Sequence, residues 1–234
     1  EVGQYLKLEI KSILRNKNPR KGFVMATAIV LMFSLIIALT DVYDGQFMTN
    51  FWCVYNFVIY GSMQLTRVMC NEGNYIDCLM VRRENILKLL RAKYIFNTAI
   101  LVLPFVLMLP TVFAGKWSIL MLVAYAVFTA GFQYFILFQM AVYNKQTVPL
   151  NTKFISKSGM ENNYYQVVVQ MLAFFLPIVL ISVLQLFLSD TVAYLIILLI
   201  GIVFVVTQPL WMRNIYNRMM QRKYVLMEGF RSSR

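Results

Sequence analysis

Six stretches of 19 to 28 residues contain no charged side chain, and together they cover more than half of the sequence. An α-helix needs about 20 apolar residues to cross the roughly 30 Å hydrocarbon layer of a membrane. Spanning β-strands would alternate apolar and polar residues over about 10 positions, whereas these runs are continuously rich in Leu, Ile, Val, Phe and Met. The sequence therefore predicts an all-α integral membrane protein with six transmembrane helices.

The alternative is a large soluble protein whose core consists of buried helices. The composition argues against it, because 60% of the residues are hydrophobic and only 14% are charged, whereas soluble domains carry about 25% charged residues. The predicted helices lie in pairs at 22–65, 94–143 and 165–211. Polar segments at 1–21, 66–93, 144–164 and 212–234 separate and flank them.

The basic residues predict the orientation of these helices. Of the 22 lysines and arginines, 21 fall in the four polar segments, which lie on one side of a six-helix topology. Lys116 alone falls on the other side, together with Asp41, Asp44 and Asp190. Because cytoplasmic loops carry the excess of Lys and Arg, we expect both termini in the cytoplasm. The net charge of +12 then indicates contact with anionic lipids rather than with nucleic acid.

Residues 2–16 have the periodicity of an amphipathic helix. Five apolar side chains share one arc and three basic ones share another, so the segment is predicted to lie in the membrane interface. Pro19 is expected to break this helix, because proline cannot continue a helix interior. The apolar arc holds Val2, Leu6, Ile10, Ile13 and Leu14. The predicted lipid-contacting residues are Lys7, Lys11, Arg15, Lys17 and Arg20.

Chemistry-bearing residues are scarce in this sequence. The predicted spans contain no Asp, Glu, Lys, Arg or His, which argues against a proton-coupled carrier. The chain has no histidine and no P-loop motif. We therefore expect no catalytic residue, no metal site, no cofactor and no enzymatic activity of its own. Neutral polar residues do occur in the spans. They could form hydrogen bonds between helices or line a substrate path. We favour the first interpretation, because the sequence places no two of these residues together.

The segment 66–93 combines charges with apolar residues. After Gly73, a short helix would place Tyr75, Ile76, Leu79 and Met80 on one side, and a second helix would then lead into the third span. Residues 71–85, which we call the knob, could be a solvated loop. A solvated loop has no use for these four apolar side chains, however, and such a surface suits docking into a groove on a partner.

Three stretches resemble the C-terminal half of a family of long bacterial ABC-2-type permeases. More broadly, the chain resembles the permease subunits of type-2 ABC transporters. They are "YLKLEIKSILRNKNPR", "NEGNYIDCLMVRRENILKLLRAKY" and "RKYVLMEGFR", at the start, middle and end of the chain. The resemblance implies a half-permease in the bacterial cytoplasmic (inner) membrane. A second six-span half would complete the permease, and cytosolic ABC ATPase subunits would dock on the knob. It assigns ATPase coupling to Glu72, Tyr75, Ile76, Asp77, Leu79, Met80, Arg82 and Arg83.

One departure from that family concerns the outer side. Many type-2 exporters have re-entrant helices between spans five and six, whereas "SDT" leaves little room for them here. Two other functions stay open: a membrane scaffold or assembly protein that binds a partner other than an ATPase, and a secondary carrier. Because the sequence opens at Glu1 without a methionine, we also expect it to be a piece of a longer permease.

Overall fold

The computed structural model describes residues 2–81, 83–148, 150–151 and 164–233, and it describes only the backbone of Asn74, Val81 and residues 83–85. These residues are 85% helical and contain no strand, so the predicted all-α class is confirmed. A 3-10 helix (Cys70–Tyr75) precedes α4, and a π-helical turn (Thr129–Gln133) joins α8 to α9.

The α-helices in the first half of the chain are α1 (Val2–Arg15), α2 (Lys17–Leu39), α3 (Gln46–Leu65), α4 (Ile76–Val81), α5 (Arg83–Ile100), α6 (Val102–Leu107) and α7 (Leu109–Phe113). Those in the second half are α8 (Ile119–Phe128), α9 (Tyr134–Phe138), α10 (Met140–Tyr143), α11 (Tyr164–Phe187), α12 (Asp190–Val206), α13 (Gln208–Gln221) and α14 (Lys223–Ser232).

Four helical stretches in the described part are long and apolar enough to cross a membrane: Lys17–Leu39, Ile86–Phe113, Ile119–Tyr143 and Tyr164–Phe187. Helices α12 and α13 add a fifth if the pair, bent by 58°, is counted as one span. Such helices are compatible with a multi-pass membrane protein. The predicted second span, α3, is not among them, because amide and hydroxyl side chains interrupt its apolar sequence. Half of its 20 residues are buried inside the bundle.

The helix boundaries differ from the predicted ones at two places. The break after α1 lies at Asn16, whose backbone is extended, and Pro19 lies in the first turn of α2. Proline is tolerated there because the first N–H groups of a helix have no intrahelical partner. The predicted sixth span also ends earlier, at Val206, because the chain bends before Pro209 and continues as α13.

Two prolines account for the interruptions in the predicted third span. The helix is interrupted at Leu101 and at Met108, shortly before Pro104 and Pro110. Proline has no N–H to donate and its ring displaces the carbonyl four residues earlier. By contrast, α11 continues without interruption through Pro177.

The turns of the chain meet at two ends of the helix bundle. At one end, the Lys116 ammonium lies 2.7 Å from Asp41 and 3.3 Å from Asp44, and Gln46 donates a hydrogen bond to Asp190 at 2.6 Å. At the other end, which we call the basic end, the Asn144 amide donates to the Thr66 carbonyl. The basic end also carries α1, the knob and α14.

Neutral polar side chains hold several helices together, which favours the first of their two interpretations. The buried Asn50 of α3 donates to Gln185 of α11 at 2.8 Å, and its carbonyl oxygen accepts from Tyr125 and Tyr194 at 3.1 Å each. Gln133, in the π-helical turn, donates to the Ala173 carbonyl of α11 at 3.0 Å. These bonds connect four helices through groups that the hydrocarbon layer cannot satisfy.

Candidate functional site

The knob is a folded element at the basic end. The 3-10 helix and α4 form its first part, and the first turn of α5 completes it. Ile76 and Met80 point into the core and are almost fully buried, whereas Tyr75 is 54% exposed and Cys78 is also exposed. The short helix and the following helix that the sequence predicted are thus confirmed. Their apolar side chains divide between the interior and the surface.

The C-terminal helix α14 packs against the knob. Its Phe230 is buried and contacts the position of Gly73, where a β-carbon would collide with Thr147. Arg231 lies 3.3 Å from Asp77 at the edge of the same contact. Thr147, in the segment after α10, donates two hydrogen bonds to Ser233: its backbone N–H to the Ser233 hydroxyl, and its own hydroxyl to the Ser233 carbonyl. Two segments that are distant from the knob in the sequence therefore hold one side of it.

A buried ionic triad fixes the knob to the first and fifth helices. The Lys93 ammonium of α5 lies 2.7 Å from Glu9 of α1 and 2.8 Å from Glu72 of the 3-10 helix. The Lys93 side chain is only 5% exposed, and both glutamates are largely buried. Lys93 was assigned to the polar segment 66–93, but it lies well inside the helix that begins at Arg83.

The electrostatics of the triad are unbalanced. Burial raises the pKa of the Glu72 carboxyl, since it disfavours the charged form; Lys93 lowers this pKa, while the charge of Glu9 raises it again. With all three groups ionised, the triad carries one excess negative charge. Burying ions costs free energy unless each finds close partners, and here one ammonium serves two carboxylates.

The triad also explains which side of α1 faces the protein. Val2, Leu6 and Ile13 of the predicted apolar arc are partly buried together with Glu9, and α1 packs along α5. Ile10 and Leu14 are exposed instead, because the helix is rotated to direct Glu9 toward Lys93. The predicted lipid-contacting side chains, Lys7, Lys11, Arg15, Lys17 and Arg20, are all exposed.

The structure separates the eight predicted coupling residues. Glu72, Ile76 and Met80 are buried within this chain, so they do not present their side chains to a partner. Their burial follows from the triad and from the packing of α4 on α5 and α14. Tyr75 is exposed, and Asp77 and Leu79 are partly exposed. Arg82 and the side chain of Arg83 lie outside the described part of the chain.

Beside the triad lies a cavity of about 390 Å³. Helices α1, α2, α3, α5 and α11 contribute to its lining, together with the residues that follow α3. Four charged side chains reach it: Glu9, Lys21, Arg67 and Lys93. Amides and hydroxyls from every one of these helices add further hydrogen-bonding groups. Its size falls within the range of small-molecule sites, about 300–1,000 Å³.

Metal chemistry finds no support in the described residues, which contain no group of three or more Cys, Asp or Glu side chains placed to hold a metal ion. Two of the three cysteines, Cys53 and Cys70, are buried. Burial raises the pKa of the Cys70 thiol to about 12, which keeps it in the less reactive thiol form.

Neither the triad nor the cavity was predicted from the sequence. Both depend on which helices become neighbours, and periodicity within one segment does not contain that information. One signal was present: Glu9, Glu72 and Lys93 each belong to the quoted motifs, in a chain with only ten acidic residues. The motifs therefore mark groups that meet in space.

Comparison with known proteins identifies one family. No curated protein and no solved structure matches the chain. A family described as a family of unknown function, DUF5687, matches it over residues 1–233. Because this match covers nearly the whole sequence, the chain belongs to the DUF5687 family.

Proposed function

We propose that this chain is a transmembrane permease subunit, in effect a half-permease, of an ABC transporter, with export as its direction. In this proposal the chain crosses the bacterial cytoplasmic membrane six times, with both termini in the cytoplasm. A separate cytosolic ATPase subunit hydrolyses ATP and docks on the knob. A second six-span half, in the same chain or in another subunit, completes the translocation path.

The observation that carries the proposal is the two-sided construction of the knob. One side exposes Tyr75 and Cys78 to a partner. The other side is bonded to α1 and α5 through Lys93 and to α14 through Phe230 and Asp77. A flexible loop would absorb the force of a docking partner, whereas this element passes a displacement to the helices behind it.

Helix α5 gives this displacement a route into the bundle. It begins within the knob at Arg83 and ends at Ile100. Helices α6 and α7 continue the same span, past the interruptions at Leu101 and Met108, as far as Phe113 at the opposite end. A partner can drive a conformational change only if it binds the two conformations with different affinity. ATP-dependent changes in the docked ATPase would supply that difference, because they would pull or release the start of α5.

The six crossings and the orientation have separate support. The turns at Asp41, Lys116 and Asp190 share one end of the bundle, while α1, the knob and α14 share the other. Helix α3 lies within the bundle, where neighbouring helices satisfy its polar side chains. The exposed basic residues of α1 would then lie at the anionic cytoplasmic surface of the membrane.

Substitutions on the exposed side of the knob test the proposal. The chain would be co-expressed with an ABC ATPase encoded beside it, and co-elution and ATP hydrolysis would be measured after purification. Tyr75→Ala and Cys78→Arg should weaken association at least tenfold, since exposed aromatic side chains at an interface contribute strongly to binding. Both positions face outward, so the fold should be preserved.

Tyr164→Ala is the matched control, because Tyr164 is an exposed tyrosine at the start of α11, outside the knob. It should leave association and ATP hydrolysis unchanged. If the knob variants bind and stimulate the ATPase as well as the unmodified chain does, the coupling proposal is wrong, and the scaffold function becomes the better explanation of this surface.

A further inference from the structure

The last turn of α13 holds Arg218, whose guanidinium is bonded to two neutral groups. One terminal nitrogen donates to the Gln139 side-chain oxygen and the other to the Tyr143 hydroxyl, each at 2.8 Å. These bonds fix the position of the guanidinium without neutralising its charge. Arg218 is partly exposed, and its guanidinium keeps further N–H groups, for which an anion is the strongest partner.

The two acceptors are themselves held in place. The Gln139 side-chain nitrogen donates to the Phe135 carbonyl at 3.3 Å, which leaves the oxygen of the same amide for Arg218. The Tyr143 ring stacks on the ring of Tyr165, with centroids 5.4 Å apart and planes inclined by 15°. The guanidinium is thus fixed at the place where α10 packs against both α11 and α13.

A second guanidinium lies beside the first. Arg222, one turn further along the chain, places its guanidinium carbon 5.1 Å from the centroid of the Tyr143 ring, and its side chain is exposed. In the described part of the chain, no carboxylate forms an ion pair with either arginine. Residues 85–227 contain two acids: Glu161, outside the described residues, and Asp190, at the opposite end of the bundle. Both charges are therefore available to an anion from outside the chain.

An exposed apolar strip leads away from these arginines along α11. Val168, Leu172 and Phe175 lie on the same face of the helix as Tyr165, because they follow it at helical spacing, and all three are exposed. Tyr165 is itself exposed near the start of α11, and tyrosines are enriched where headgroups meet acyl chains. The arginines would therefore lie among lipid headgroups, while the strip would face the acyl chains.

We propose that Arg218 and Arg222 bind the phosphate groups of an anionic phospholipid whose acyl chains lie along Val168, Leu172 and Phe175. Phosphate oxygens accept the N–H groups that remain on the two guanidinium forks. Cardiolipin, which has two phosphates, balances both arginines, whereas phosphatidylglycerol, which has one phosphate, balances one. This site is separate from the predicted lipid-contacting residues of α1, involves no ATPase, and does not depend on the transporter proposal.

Phosphatidylcholine provides the discriminating comparison, because its headgroup has a phosphate but carries its own cation. The purified chain in a maltoside detergent would be titrated with each lipid, and one-to-one complexes would be quantified by native mass spectrometry. Cardiolipin should bind about tenfold more tightly than phosphatidylcholine, with phosphatidylglycerol between them. Deacylated cardiolipin keeps both phosphates but lacks the acyl chains, so it should bind about tenfold more weakly than the intact lipid.

Three glutamine variants locate the site. Arg218→Gln and Arg222→Gln should each weaken cardiolipin binding about fivefold. Arg213→Gln is the matched control and should leave binding unchanged, because Arg213 is an exposed arginine of the same helix outside the cluster. Since the Arg222 side chain is exposed, its variant should fold even if loss of the two Arg218 hydrogen bonds lowers the stability of the other.

Three results would overturn the proposal. One is equal binding of cardiolipin and phosphatidylcholine to the unmodified chain, which indicates lipid association without recognition of charge. Another is that Arg213→Gln weakens cardiolipin binding as much as Arg222→Gln does, since the attraction would then belong to the whole basic end. The third is that deacylated cardiolipin binds as tightly as the intact lipid, because the arginines would then form a site for a soluble phosphodiester.

Discussion

Lys93 is the residue on which the basic end depends most. Its ammonium is the shared partner of Glu9 and Glu72, and all three side chains are largely removed from water. Lys93→Met keeps most of the side-chain volume but leaves two carboxylates facing each other without a cation. Breaking a buried ion pair in this way costs about 3–5 kcal/mol. We expect a large fall in the melting temperature of the purified chain in detergent.

The triple variant Glu9→Gln, Lys93→Met, Glu72→Gln is the control for that prediction. It removes all three charges, so no ion is left without a partner, and neutral replacement of buried ion pairs is often well tolerated. The triple variant should therefore be more stable than Lys93→Met alone. If Lys93→Met melts at the temperature of the unmodified chain, the triad does not contribute to the stability of the fold.

The raised pKa of Glu72 predicts that its contribution to the stability of the chain falls as the pH rises. Burial raises the pKa of this carboxyl in the folded chain, whereas in the unfolded chain it is near the ordinary value for glutamate, about 4.3. As the pH rises past that value, the unfolded chain releases the proton first, so Glu72 contributes progressively less stability until its folded pKa is passed. The melting temperature of Glu72→Gln should therefore rise relative to that of the unmodified chain between pH 4 and pH 7.

Glu228→Gln, which removes a carboxylate that is exposed on α14, is the control for the loss of one negative charge. The opposite trend for Glu72→Gln, with the gap closing or reversing as the pH rises, would show that the attraction of Lys93 outweighs burial at this site.

Among the helices, the contact of α12 with α8 depends on two glycines. A β-carbon at Gly201 would lie 2.7 Å from the backbone nitrogen of Phe128 and 2.8 Å from its α-carbon, and one at Gly131 would collide with the Gly201 carbonyl oxygen. Small residues allow helices to approach this closely in membranes. Gly201→Ala should destabilise the chain by about 1–3 kcal/mol, the usual cost of overpacking, as measured by unfolding in mixed micelles.

Gly22→Ala is the control for that measurement. Gly22 lies within α2, and a β-carbon there would meet no atom within 4 Å. Because alanine favours helix more than glycine does, this variant should be as stable as the unmodified chain or slightly more stable. Equal stability of the two alanine variants would mean that α8 and α12 are not held at this distance.

The sequence predicted the positions of the helices that long apolar runs determine. It did not predict which side of α1 faces the protein. The apolar arc of α1 was predicted to lie in the membrane interface. It did not indicate that Val2, Leu6 and Ile13 would pack against the protein together with Glu9, which lies 2.7 Å from Lys93, while Ile10 and Leu14 stay exposed. The periodicity of a sequence shows how polar and apolar side chains are distributed around one helix. The rotation of that helix in the structure depends on the neighbouring helix. The same reason explains why Ile76 and Met80 were expected on a docking surface and lie in the core.

For the molecule as a whole, the membrane orientation decides whether a cytosolic partner can reach the knob. The three cysteines of the chain make this testable, because Cys53 and Cys70 are buried and Cys78 is exposed on α4. A membrane-impermeant maleimide should leave Cys78 unlabelled in intact spheroplasts and label it in inside-out vesicles. Cys78→Ser should abolish the labelling.

The opposite end of the bundle supplies the converse probe. Val42 is exposed in the turn between α2 and α3, beside Asp41 and Asp44, so Val42→Cys in the Cys78→Ser background should react in spheroplasts and not in inside-out vesicles. Both reactions report which side of the membrane each residue occupies. Labelling of Cys78 from outside would place the knob, the triad and the cavity mouth beyond the reach of a cytosolic ATPase. The transporter proposal would then be untenable.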